Sequence, residues 1–94
     1  MSDFEKICDY IEKNRQKAIE LETVLTAIPA LAPESGGNGE FAKCEALEKW
    51  LKENGINDLE RFDAADDRVE SKIRPNLIAT IKGKDDTKSL WIMS

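Results

Sequence analysis

The chain has 94 residues, a net charge of −5 and 35% charged against 40% hydrophobic residues. That balance belongs to a water-soluble folding chain of one domain at most, near the lower size at which a single core suffices. An acidic chain without a basic stripe repels nucleic acid and anionic lipid, so neither is expected as a partner. The two cysteines are too few for a disulfide framework, and the absence of histidine excludes a histidine base or a histidine-containing zinc site within these residues.

The start, Ser2-Asp3-Phe4-Glu5, has the form of a capping box and is too acidic for a targeting peptide. Phe4, Ile7, Cys8 and Ile11 recur at helical spacing, and Ala18, Ile19, Leu21, Val24, Leu25 and Ile28 resume it. The spacing predicts one long helix over residues 3–27, with a bend near Asn14, stopped by Pro29.

Residues 29–39 hold two prolines and three glycines and predict a loop with special backbone angles. Asn38 or Gly39 can cap a second helix over residues 40–54, with Phe41, Cys44, Leu47 and Leu51 on one face. Gly55 ends it in the left-handed position, with Ile56 folding back on the last turn. Cys8 and Cys44 both fall on apolar helix faces, which reads as two buried free thiols in a reducing cytoplasm.

Strands are expected near residues 59–62, 76–82 and 89–94, with a polar connector over residues 63–72. Leu77 to Ile81 and Leu90 to Met93 are nearly continuous apolar runs, the texture of strands buried on both faces of an α/β sheet. Two helices are too little to cover such a sheet. The chain therefore reads as the N-terminal part of a larger α/β domain, with an open strand edge through which it can self-associate. No stretch reaches the length of a membrane span.

Residues 25–94 resemble the start of the catalytic domain in the two-zinc aminoacylase and exopeptidase family, which includes acetylornithine deacetylases, succinyl-diaminopimelate desuccinylases and carnosinase-like peptidases. The resemblance lies in Leu25-Thr26-Ala27-Ile28-Pro29, Pro33-Glu34-Ser35-Gly36-Gly37, and the helix opened by Gly39-Glu40-Phe41-Ala42 and ended by Leu51-Lys52-Glu53-Asn54-Gly55. It continues in Arg74-Pro75-Asn76-Leu77-Ile78-Ala79-Thr80-Ile81-Lys82-Gly83 and Ser89-Leu90-Trp91-Ile92-Met93-Ser94. It implies a zinc-dependent hydrolase of peptide or N-acyl amino acid bonds, with two zinc ions in the full-length parent and the rest of the catalytic domain as partner. It also implies that the first metal ligands, a His-x-Asp pair, follow the strand ending at Ser94. No catalytic, cofactor-binding or metal-ligating residue is carried over to this chain, which reads as scaffold.

Two other stretches bear on function. The glycine-rich loop from Glu34 to Glu40 has backbone suited to an anion, but its two carboxylates oppose one, and a helix connector or a pocket wall are the other readings. Asp63, Asp66, Asp67 and Glu70 lack the glycine and spacing of a calcium loop and read as a solvated acidic turn. Trp50 and Trp91 are expected to give core or interface area. Two alternatives remain open: a complete small acidic interaction module without enzyme activity, and a piece of an unrelated α/β enzyme.

Overall fold

The computed structural model describes residues 2–94. The molecule is an elongated mixed helix-and-strand structure, 52 × 33 × 22 Å. Its first helical stretch is two helices, α1 (Asp3–Lys13) and α2 (Arg15–Ala27), where one continuous helix over residues 3–27 was expected. The capping box closes the start of α1: Glu5 N donates to Ser2 Oγ at 3.2 Å and Ser2 N donates to Glu5 Oε2 at 2.8 Å. Asn14 makes the break. Its side-chain Nδ2 donates to the Tyr10 carbonyl at 2.8 Å, a local bond that competes with the helical ladder.

At the end of α2, Ile28 is extended (φ −99°, ψ 115°), the geometry a following proline imposes. A single 3-10 turn (Pro33–Ser35) crosses the loop before α3 (Phe41–Glu53). α3 is preceded by Glu40 without a side-chain cap, so the cap expected from Asn38 or Gly39 is not formed. Its C-terminus is a Schellman motif: Gly55 sits at φ 83°, and Ile56 N donates to Leu51 O at 2.8 Å.

The remaining strands are β1 (Leu59–Arg61), β2 (Ala64–Ala65), β3 (Ile73–Arg74) and β4 (Leu77–Ala79). β1 pairs antiparallel with β4 and β2 antiparallel with β3. These are two parts of one hairpin. Phe62 and Asn76 exchange backbone bonds at 2.9 and 3.2 Å between the two ladders, Thr80 N donates to Asp58 O at 2.9 Å beyond one end, and Asp66 N to Lys72 O at 2.9 Å beyond the other. The register never shifts. Pro75 faces Asp63 at a non-hydrogen-bonded position of the ladder, where its missing N–H costs no inter-strand bond. The polar connector expected over residues 63–72 is thus largely the upper half of a hairpin, with residues 67–71 as its tip.

The sheet differs from the expected one in a second respect. Leu77 and Ile78 are half-buried, but Ile81 and all of Leu90 to Met93 are exposed, and residues 89–94 join no ladder among the described residues. A strand without a neighbouring edge has no hydrogen-bond partners and does not form alone. Trp91 accordingly lies 69% exposed.

The compact part of the molecule lies where the hairpin, α3 and the 29–40 loop meet. Val69, 2% exposed, and Cys44, 9% exposed, are its fully buried apolar residues among those described. Cys8 is exposed, correcting the expectation of two buried thiols, because no described residue covers its face of α1.

Candidate functional site

The glycine-rich loop and the hairpin tip build the most organised polar region of the molecule. Gly37 and Gly39 turn the loop back on itself, with Gly37 N donating to Ala32 O at 3.0 Å and Gly39 N to Leu31 O at 2.8 Å. A Cβ on Gly37 would stand 2.1 Å from the Leu31 carbonyl oxygen, so only glycine fits there. The folded loop presents the Asn38 side chain outward, and Asn38 Oδ1 accepts from the backbone N–H of Glu70 at 2.7 Å. That bond fastens the tip of the hairpin to the loop.

Five charged side chains surround the junction. Arg68 donates to Glu34 Oε1 at 2.8 Å and to both oxygens of Asp66, through Nε at 2.9 Å and Nη2 at 2.8 Å. Arg74 forms a two-pronged pair with Glu40 and reaches Asp66 Oδ2 at 3.4 Å. Asp66 is the hinge of the set, its side chain only 9% exposed between two arginines. The Arg68 guanidinium, then its backbone N–H, hold the Asp66 carboxyl far below the usual range. Arg74 lowers Glu40 in the same way, and a backbone hydrogen bond followed by Arg68 lowers Glu34.

A second ionic contact fixes the base of the hairpin. Arg61 on β1 reaches Glu45 and Glu48 on α3 and Asp63 on its own arm, and its guanidinium carbon lies 5.5 Å from the Phe41 ring centroid. α3 is therefore braced against the hairpin from its start to its middle, by Glu40 just before it and by Glu45 and Glu48 in its body. Burial raises the Cys44 thiol above its ordinary value, which keeps it protonated and unreactive.

Beside the junction lies an open groove of about 400 Å³, lined by Pro29, Asn38, Gly39, Phe41, Ala42, Glu70 and Ser71. It holds one carboxylate at its rim and no nucleophile paired with a base. Ser71 Oγ is taken up within its own turn, donating to Ile73 O at 2.9 Å.

These placements bear on two expectations. Of the four acidic residues read as a solvated turn, Asp66 is shielded and doubly paired, while Asp67 and Glu70 are exposed at the hairpin tip. The loop from Glu34 to Glu40 belongs to the connection between α2 and α3, and its carboxylates are in addition the acceptors of a structural clamp. Arg68 and Arg74 were the residues not legible as partners in the sequence, since each meets a carboxylate 34 positions away.

The residues present do not suit a zinc ion. Among the described residues no three of Cys, Asp and Glu converge on a point, and Glu34, Glu40 and Asp66 face arginines that a cation would have to displace. No described helix is long and apolar enough to cross a membrane. No protein-family model, curated protein or solved structure matches the chain.

Proposed function

We propose that the chain is the N-terminal scaffold of the catalytic domain of a cytoplasmic zinc-dependent hydrolase acting on peptide or N-acyl amino acid bonds. The reading rests on the resemblance of residues 25–94 to the two-zinc aminoacylase and exopeptidase family. The observation that carries it on the structural side is the apolar run Leu90, Trp91, Ile92 and Met93, 69–89% exposed. Such a run matches an inner strand awaiting its neighbours better than a solvated tail. In this reading the rest of the catalytic domain covers the run, and the metal ligands belong to that remainder, beginning with a His-x-Asp pair just after Ser94.

Within the scaffold, the clamped junction has one task. It holds the 29–40 loop, α3 and the β4 arm as one rigid body, so that a strand following β4 emerges in a fixed direction. Metal ligands need that kind of rigid support.

The test is to read the gene through the ten codons after Ser94 and to purify the longer product. His-x-Asp, two zinc ions per chain and hydrolysis of dipeptides or N-acyl amino acids are expected. The 94-residue chain alone is expected to give no stoichiometric zinc binding by calorimetry. A stop codon at position 95, or a continuation without His-x-Asp, would overturn the reading. The first outcome would favour a small acidic interaction module and the second another α/β enzyme.

A further inference from the structure

Two of the chain's five asparagines are followed by glycine, as Asn38-Gly39 and Asn54-Gly55. An asparagine is most reactive in that setting. The next backbone nitrogen can reach the side-chain amide carbon, and glycine brings no side chain to block the approach. Asn14, Asn57 and Asn76 precede Arg15, Asp58 and Leu77, whose side chains hinder it. The fold treats the two Asn-Gly pairs differently.

At Asn38 both reacting groups are held. Asn38 Oδ1 accepts from Glu70 N at 2.7 Å, and Gly39 N donates to Leu31 O at 2.8 Å. Gly39 is buried, with Val69 Cγ1 and Arg74 Cδ 3.3 and 3.4 Å from where a Cβ would stand. Bringing the Asn38 side chain onto the Gly39 nitrogen therefore means lifting the hairpin tip off the loop. Asn54 and Gly55 lie exposed at the end of α3, and nothing stands within 4 Å of where a Gly55 Cβ would be. What holds them is the helix cap: Asn54 Nδ2 donates to Trp50 O at 2.8 Å, Gly55 N to Lys52 O at 3.2 Å and Ile56 N to Leu51 O at 2.8 Å. A helix end of this kind opens by fraying its last turn, with the loop–hairpin junction left in place.

We propose that Asn54 is a site of spontaneous deamidation and isoaspartate formation in the folded chain, and that the seated hairpin tip keeps Asn38 from the same reaction. When the last turn of α3 opens, solvent base takes the proton from Gly55 N, and the nitrogen attacks Asn54 Cγ. The new N–Cγ bond closes a succinimide ring as the bond to Nδ2 breaks, and the leaving nitrogen takes up a proton and departs as ammonia. Water then adds to either imide carbonyl and opens the ring, giving isoaspartate or aspartate. Both products remove the donor to Trp50 O and set a carboxylate at the negative end of the α3 dipole. Isoaspartate also adds a methylene to the main chain between α3 and β1.

The test is to hold the native 94-residue chain in warm, mildly alkaline buffer made with heavy-oxygen water and to follow the label by peptide mapping. Fragmentation assigns the label to Asn54 or Asn57 and tells isoaspartate from aspartate. Label should enter at Asn54, largely as isoaspartate, at least about tenfold faster than at Asn38. In guanidinium chloride the two sites should react at similar rates, because only the local sequence then counts. Asn54→Gln should abolish the native label at that position, since the longer side chain closes a larger imide ring far more slowly. A native chain that takes no label at Asn54 while the denatured chain does would overturn the proposal. A native ratio of the two rates no larger than the denatured ratio would do the same, by placing the difference in the sequence and not in the fold.

Discussion

Val69 sits against Gly39: a Cβ placed on the glycine would stand 3.3 Å from Val69 Cγ1, so the hairpin tip rests directly on the loop backbone. Val69 is also the most buried side chain described, at 2% exposure. Shortening it to alanine is expected to cost about 2 kcal/mol, from lost burial and the void left behind. Thermal unfolding would show this as a Tm lower by roughly 10 °C. A loss within experimental error would mean that the tip is not seated on the loop.

Two adjacent glycines should respond differently to alanine. At Gly37 the new methyl would overlap the Leu31 carbonyl at 2.1 Å, a backbone atom that cannot swing away, so the loop must open. Gly36, at φ 80° with nothing within 4 Å, carries only the left-handed backbone penalty of about 1 kcal/mol. Urea midpoints should therefore fall much further for Gly37→Ala than for Gly36→Ala, and equal losses would contradict the loop geometry.

The clamp predicts acid sensitivity of a definite sign. Asp66, Glu34 and Glu40 all titrate in the folded chain below their ordinary values of 3.8, 4.5 and 4.5. Between the unfolded and folded values the unfolded chain holds more protons, so stability rises with pH there. The contribution is complete above about pH 5 and is lost as pH falls through 4.5 and 3.8 toward the folded values. Asp66→Asn is expected to lower Tm by roughly 5 °C at neutral pH, with the difference shrinking toward pH 2. The Glu34–Arg68 pair, 61% and 56% exposed, should be the part most weakened by salt. A Tm gap that widened in acid would refute the assignment.

At the helix break, Asn14→Ala removes the side-chain bond to Tyr10 O and places a strong helix former between α1 and α2. The far-ultraviolet signal should deepen and Tm rise by a few degrees as the two helices join. An unchanged spectrum would show that the bend is set by something other than Asn14.

What could be read from the residues was what neighbours decide. The Ser2–Glu5 capping box, the stop before Pro29 and the Gly55–Ile56 turn each depend on residues no more than five positions apart. Asn14 lay at the weak point of the helical pattern, yet whether the helix bends or breaks depends on which carbonyl its amide finds. The upper half of the hairpin was hidden because Ala64-Ala65 and Ile73-Arg74 are too short to show a period. The clamp was hidden for a different reason: pairing Glu34 with Arg68 and Glu40 with Arg74 requires the loop and hairpin to be folded first. Cys8 was read as buried because an apolar face implies a cover, and periodicity names the face but never the cover.

The unshifted register of the hairpin orders the way the molecule assembles. Its arms lie close along the chain, so zipping from the 67–71 tip down to the Asp58–Thr80 bond closes only short loops and is fast. The junction with the 29–40 loop spans more than thirty residues and gains nothing until both sides are in place. The hairpin is thus the early element and the clamp the late one. Lesions in Asn38, Glu34 or Arg68 should appear almost wholly as faster unfolding, with the folding rate left nearly as it was.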